Sequence, residues 1–582
     1  MKTVFLILVL GLLVWGMPIQ AAVWHVNHAN TGGPHDGLSW DTAFVTIQDG
    51  VDAAAQHPGD EVWVASGVYG EARNVISGAL VLRQGVSVYG GFLGLETARE
   101  ARDGDRYPTV IDAARARGGR PAFHAVIGAE GAVLDGFRIR GGMADGAPAT
   151  ERHGGGLLAV GISMTVNRCI FSDNGAVGDG GALYSREATL IVRGCEFVRN
   201  EAVSGAAIRA QSGTITLENC LFIGNRASAN GGALSLNHAS GDMANCVLRT
   251  NTAVGAGGAT ELVGGNVRFR NCSMTGNVAG GAGGGVVNRG AAAELVNCIL
   301  YDDAPGEIVV EAHDGHPGSA NVHHSIVKGG FSGTGNRDVN PGFVDAASGD
   351  LRLREDSPAL DMGVSLQAPA WDIANVVRPQ RSGVDIGAYE MPPVVYVDKN
   401  LSISGNGTSW AKAFTRVQPA IDTAAALGGG QVWIKGGVYE EDRSETSVAG
   451  ALTLRSRVQV YGGFAGGETA SADRPMDGTP SVISGVRARN GEMARHVVEI
   501  VNCSDVTLDG LTISGGGASG PGANDPNGGG LYVAGSRGAV NRCVITQNIA
   551  QAKGGGAYVA DSILSWDRCL FLANASPAGG GL

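Results

Sequence analysis

The segment Thr214-Ile215-Thr216-Leu217-Glu218-Asn219-Cys220-Leu221-Phe222-Ile223-Gly224-Asn225 decides the fold. Ile215 and Leu217 alternate with polar residues, the two-residue period of a half-buried strand. The apolar set then slips by one, to Cys220 and Phe222, and a change of parity inside a strand pattern marks a bend. The slip falls on Asn219, a residue type that tolerates left-handed backbone. Asn225 follows Cys220 by five residues, and the pair Gly231-Gly232 comes next.

The same phrase recurs along the chain. Cys169, Cys195, Cys220, Cys246, Cys272 and Cys298 are separated by 26, 25, 26, 26 and 26 residues, and Cys543 and Cys569 by 26. Five residues after these cysteines stand Asn174, Asn200, Asn225, Asn251, Asn277, Asn548 and Asn574, with Asp303 in the same place after Cys298. Gly194, Asn245, Asn271 and Asn297 occupy other slips, whereas Arg168, Arg542 and Arg568 break the preference, so the bend need not be left-handed everywhere. A fixed period of this size indicates a solenoid. Three short strands and three corners per period predict an all-β chain, a three-sided parallel β-helix whose coils stack about 4.8 Å apart. Cysteines then form an inward column and the asparagines bond from coil to coil at a corner. Disulfides are the ordinary expectation for cysteines in an exported chain, but a column of thiols in one parallel sheet favours free, buried cysteines.

Composition agrees. Glycine supplies 94 of 582 residues and charged residues only 17%, against usual shares of about 7% and about 25%. Hydrophobic residues at 44% exclude disorder, and 20 prolines without a three-residue glycine period exclude collagen. The net charge of −12 gives no support to a nucleic-acid partner. Lys2 followed by the 12-residue apolar run from Val4 to Trp15 predicts a secretory signal over residues 1–21, too short to span a bilayer.

The strings Phe171-Ser172-Asp173-Asn174 with Gly180-Gly181-Ala182-Leu183, and Phe222-Ile223-Gly224-Asn225 with Gly231-Gly232-Ala233-Leu234, resemble the FxxN and GGA(I/L/V) repeats of polymorphic outer membrane proteins. More broadly the chain resembles right-handed parallel β-helix proteins of the pectate-lyase-like superfamily. This resemblance covers roughly 160–300 and 530–582, and implies a secreted or outer-membrane-associated location. It does not fix an activity, because the scaffold hosts many functions.

The chain contains two copies of one plan. Ser39-Trp40 returns as Ser409-Trp410 and Gly67-Val68-Tyr69 as Gly437-Val438-Tyr439, both displaced by 370, and Leu134-Asp135-Gly136 returns as Leu508-Asp509-Gly510, displaced by 374. The first copy is expected over 22–391, a joint over 392–394 and the second copy over 395–582. Each opens with an amphipathic segment, Val45–Gln56 or Arg416–Leu427, suited to capping the open end of a solenoid. The first closes with Ser357-Pro358-Ala359-Leu360-Asp361 and Asp385-Ile386-Gly387-Ala388-Tyr389-Glu390, which resembles the terminal segment of exported bacterial β-helix proteins with anchoring tails. Asp361 and Asp385 read as loop residues. The second copy has no such ending, so a fragment of a longer protein is expected, with any membrane attachment in the missing C-terminal part.

Chemistry is sparse. Asp302-Asp303 is the only close acidic pair in the repeats, and Asp303 already has a corner role. His313, Asp314, His316, His323 and His324 have spacing that could suit a transition metal, but they read as an exposed loop. Glu96 with Arg106, and Glu468 with Arg474, read as buried ion pairs within an excursion present in both copies. The most informative feature is a loop shared by both copies, since loops on rigid scaffolds carry binding. In the first it contributes Asp145, Glu151, Arg152 and His153; in the second, Asn524, Asp525 and Asn527. Glu151, Arg152 and His153 could form an acid–base group, but Asp525 and Asn527 do not match them in type. The sequence therefore supports an adhesin-like protein that binds or displays an extracellular glycan or surface protein, with no catalytic, cofactor or metal residues. The alternative is a polysaccharide lyase or glycoside hydrolase, and Ca2+ enters only under the lyase reading.

Overall fold

The computed structural model describes residues 21–582 except 58, 72–77, 442–449, 476–477, 521, 523–525 and 582. The signal expected over residues 1–21 lies, apart from Ala21, outside the described residues. The chain divides into two compact units, Met1–Val339 and Asn340–Leu582.

The first unit is a parallel β-helix. A representative coil runs Leu234–Asn237, Ser240–Ala244, Val247–Arg249 and Thr252–Ala253. Each strand pairs in parallel with its counterpart in the next coil, with Leu234 opposite Thr260, Gly241 opposite Val267, Val247 opposite Ser273 and Thr252 opposite Val278. The coil thus has four strands where the periodicity predicts three. The extra one is two residues long, too short for alternation to show, and its inward residue is a small alanine such as Ala227 or Ala253.

Two kinds of residue make the bends. At the slip before each cysteine φ is positive throughout: Asn219 at 55°, Asn245 at 52°, Arg168 at 48° and Arg542 at 51°. The expectation that arginine relaxes this bend is therefore corrected. Left-handed backbone costs a side chain of this kind about 1 kcal/mol or more. Arg168 and Arg542 are held there by two-pronged bonds to the buried Asp135 and Asp509, and such charge-assisted pairs are strong enough to offset the strain. At the next corner the left-handed residue precedes the asparagine, as in Arg199 and Thr250. The asparagine itself turns inward.

Inside, the columns are continuous. Phe171, Phe197 and Phe222 are fully buried and stack at 5.2 and 4.9 Å with nearly parallel rings. All nine cysteines are free thiols, and all but the half-buried Cys569 are buried. Sγ of Cys220 donates to the carbonyls of Glu218 and Val192 at 3.3 and 3.5 Å. Asn225 Nδ2 donates to Phe197 O and Asn251 Oδ1, both at 2.9 Å, and its backbone N–H donates to Asn251 Oδ1 at 3.0 Å. The pattern repeats at Asn174, Asn200 and Asn251.

A helix closes the start of each β-helix, Ile47–Ala54 in the first unit and Val417–Ala426 in the second. Ile47, Val51 and Ala54 face the core, and the Glu71 carboxylate accepts from the N–H groups of Ile47 and Gln48 at the helix start. Gln48 uses its side-chain amide as a substitute peptide: Nε2 donates to Val81 O and Oε1 accepts from Val81 N–H. An edge strand is thereby paired without offering a new edge. Gln418 makes the same pair with Thr453, and Glu441 takes the place of Glu71.

The closing segment 340–391, grouped by sequence with the first copy, falls in the second unit. The reason is local. Arg378 and Glu390 form a fully buried pair at 3.3 Å, and Gln380 and Val377 reach the Leu427 carbonyl at the end of the cap helix. Asp361 and Asp385 work as loop residues here: Asp385 accepts from the N–H groups of Asp361 and Met391, and Asp361 from that of Gly383.

The expected Glu–Arg pairs in the excursions are absent among the described residues. Glu96 instead wraps its carboxylate around the N–H groups of Leu93, Gly94 and Leu95. Glu468 does the same with Ala465, Gly466 and Gly467, which holds its pKa below the usual range despite some burial. The arginines Arg102 and Arg474 turn to Asp135 and Asp509.

Candidate functional site

The shared loop of the first unit leaves the sheet at Met143–Ala144 and turns through Ala149–Glu151. Its four polar candidates separate. Asp145 pairs with Arg117 at 3.0 Å, and Glu151 packs across Gly146. Arg152 is exposed, and its carbonyl accepts from Gly178 N–H. His153 lies on the sheet, stacked on Tyr184 at 4.6 Å. Its Nδ1 accepts from the Asp179 N–H at 2.8 Å. Burial lowers the His153 pKa, opposed by Asp179 and assisted by Arg152, Arg209 and Arg186, so the ring is neutral at neutral pH. The three residues Glu151, Arg152 and His153 are not joined by any hydrogen bond or ion pair among the described residues.

What His153 meets is a file of outward residues at one register position. Tyr184, Arg209, Ser235 and Glu261 lie opposite one another in successive coils. Tyr184 Oη donates to Gln211 Oε1 at 2.9 Å. Arg209 Nε lies 3.6 Å from Asp179 Oδ2, and Arg209 Nη1 donates to Ser235 Oγ. Ser235 donates to Glu261 Oε2 at 2.8 Å, whose other oxygen pairs with Arg289 at 2.6 Å, and Arg289 continues to Glu311 at 3.1 Å. Downstream of Arg209 the charges alternate and cancel. At the His153 end Arg152, Arg186 and Arg209 act on the ring together with Asp179, which pairs with Arg209, and among the described residues neither Arg152 nor Arg186 forms an ion pair.

The second unit differs. Asn524 and Asp525 lie outside the described residues, and Asn527 is buried and forms a backbone bridge with Lys553. His496 stacks on Tyr532 at 4.8 Å and Tyr532 on Tyr558 at 5.8 Å, an aromatic file in place of the charged one.

The remaining candidates are separated or already engaged. His313 and His316 pair through their backbones, His323 approaches Glu294 at 3.5 Å, and His324 approaches His323 at 3.4 Å. Among the described residues no group of three or more His, Cys, Asp or Glu is placed to hold a metal ion. A cavity of about 510 Å3 beside the first cap helix is lined by Asp49, Asp52 and Glu71, but these are committed to Thr46, Arg83 and the helix N–H groups.

Two stretches, residues 168–186 and 219–237, match the Chlamydia polymorphic membrane protein repeat. The chain is a parallel β-helix protein, and these two stretches of it are similar to that repeat. Over 113 residues it is 39% identical to mannuronan C5-epimerase AlgE3 of Azotobacter vinelandii, a match covering 19% of this chain and 6% of the relative. With AlgE1 of the same organism it shares 38% over 116 residues, 20% of this chain and 8% of the relative. The matches thus span less than a tenth of the length of these two relatives. Among solved structures, pectate lyase Pel9A superposes with a TM-score of 0.36 at 11% identity, covering 64% of this chain and 97% of that one. An arginine-to-alanine mutant of the PL6 family alginate lyase AlyGC gives 0.22 at 12% identity, covering 91% and 80%. The fold assignment rests on the strand ladders themselves.

Tyr184, Asp179, Arg186, Arg209, Ser235, Glu261 and Arg289 were not singled out from the sequence. They differ in type from coil to coil, so no repeat marks them; the only signal is their outward place close to the glycine corners.

Proposed function

We propose that this chain is displayed at the cell surface and binds an acidic glycan on the outward face of its first unit, at Arg152, His153, Tyr184, Arg186 and Arg209. The observation that carries the reading is the two arginines without an ion-pair partner, Arg152 and Arg186, beside a neutral, stacked histidine. A carboxylated sugar chain would supply the missing negative charge, and Arg offers it two-pronged bonds. The polymorphic membrane protein repeats support surface display, with export through the N-terminal segment. Asp145 and Glu151 then shape the loop and do not touch the ligand.

A second reading, an enzyme acting on uronate polymers, is favoured by the matches to mannuronan C5-epimerases. Proton removal next to a sugar carboxylate needs a cation to neutralise that carboxylate and a base that is neutral before reaction. Arg186 and Arg209 suit the first role. His153 does not suit the second: its Nδ1 accepts the Asp179 N–H, so the neutral ring carries its proton on Nε2 and can only donate there, and the base would have to come from elsewhere.

Calorimetric titration of the purified chain with mannuronan, polygalacturonate and a neutral glucan tests both. Binding of the acidic polymers that weakens with salt and at least tenfold in Arg186→Ala supports the first reading. Binding indifferent to charge overturns it. New unsaturated ends or inverted C5 centres, lost in Arg186→Ala, replace it with the second.

A further inference from the structure

Asp303 occupies the place of a ladder asparagine, and it fills only half of the role. Its Oδ1 accepts from Asn277 N–H at 2.7 Å and from Asn277 Nδ2 at 2.8 Å, as an asparagine carbonyl does in the coils before it. The other half belongs to Nδ2, which in Asn200, Asn225, Asn251 and Asn277 donates to the carbonyls of Phe171, Phe197, Phe222 and Leu248. The next carbonyl in that column is Met274, and Asp303 has no amide to offer it. Its Oδ2 is buried without a hydrogen-bond partner. Glu307 folds back beside it: Oε1 accepts from Asp303 N–H at 3.2 Å, and Oε2 is likewise buried and unpartnered.

The surroundings offer no charge to neutralise two ionised carboxylates. Asp303 is 7% exposed and Glu307 6%. The glycine backbone of residues 284–285 closes over them, so that a Cβ on Gly285 would lie 3.1 Å from Asp303 Oδ2. Lys328 is the nearby cation, and it pairs with exposed Asp302 at 2.5 Å. Asn277 is neutral. Two carboxyl groups in such contact cannot both ionise cheaply, and one shared proton supplies the donor that the pair lacks.

We propose that Asp303 and Glu307 hold one proton between them, and that this proton fastens the turn at which the asparagine ladder ends in the first unit. The pair is then a pH-responsive fastening for the coil spanning residues 299–311, independent of the glycan site. Burial raises both carboxyls; Glu307 raises Asp303 further, and the rise of Glu307 is opposed by its hydrogen bonds to Asp303 and by Lys328. A raised pKa in the closed coil means that the closed coil binds the extra proton. The stabilisation is fully present below the open-chain carboxyl pKa of about 4 and is lost as pH rises through the raised value.

Hydrogen–deuterium exchange on the full chain between pH 5 and 9 tests this, with rates corrected for intrinsic exchange. Protection of a peptide spanning 299–311 is read against one spanning 221–234. The relative protection is expected to fall by up to tenfold per pH unit within the titration range, the effect of one proton. Asp303→Asn restores an amide donor and should make the profile flat at its acid-side level. Glu307→Gln should also flatten it. A flat profile in the unmodified chain, or a slope that survives Asp303→Asn, overturns the proposal. So does recovery of protection at high pH on adding Ca2+ or Mg2+ to the unmodified chain, which would make the pair a cation site. If neither variant folds, the profile of the unmodified chain decides alone.

Discussion

Replacing Asn225 by alanine should open the middle of the first unit. Four side-chain bonds disappear: Nδ2 to Phe197 O, Nδ2 to Asn251 Oδ1, and the two that Oδ1 accepts from Asn200 N–H and Nδ2, all between 2.9 and 3.0 Å. At about 1 kcal/mol net each, the direct loss is about 4 kcal/mol. Asn200 N–H and Phe197 C=O are left without these partners in a fully buried corner, which adds about 1–3 kcal/mol. The expected loss is therefore about 5–7 kcal/mol. In a solenoid each coil depends on its neighbours, so the damage should be local. Exchange protection should collapse over residues 195–255 and persist around Ile47–Ala54. Asn266→Ala, at an exposed strand position, should stay within about 0.5 kcal/mol. Asn225→Asp keeps the acceptor and loses both donations; it should fall between the two and recover part of the loss in acid, where a protonated carboxyl can donate once. A loss below about 1 kcal/mol for Asn225→Ala, equal to that of Asn266→Ala, would refute the ladder as a source of stability.

Gln48→Leu removes both bonds to Val81 and the bond to Asp52; protease cleavage near the first cap should rise, with a local loss of about 2–4 kcal/mol. Under native conditions a thiol reagent followed by mass spectrometry should modify Cys569 first, because the other cysteines are buried; early labelling of Cys220 or Cys246 would contradict the inward column. Burial and neighbouring Glu390 push Asp385 up to about 7, so the second unit should lose stability as pH rises from about 4 through 7, by up to about 1.4 kcal/mol per pH unit for one proton. Denaturant midpoints measured across that range should lose this slope in Asp385→Asn.

The repeated phrase around Cys220 determines most of the architecture by itself. Strand parity, the slip at Asn219 and the return of Asn225 after a full period are all written locally, and a parallel solenoid stacks like on like. For that reason the inward columns and the corner ladder are legible without coordinates. The two-residue strand at Thr252–Ala253 is too short to carry a pattern, and the left-handed arginines depend on Asp135 and Asp509, which lie 33 residues away. The outward file was the least legible. Tyr184, Arg209, Ser235, Glu261 and Arg289 follow no repeated residue type, and only the stacking of coils turns separations of 25 to 28 residues into contact. Sequence fixes what faces inward because one core selects the same kind of residue in every coil. What gathers on the outer face is decided by tertiary register, since solvent imposes no such selection and adjacent coils may each contribute something different.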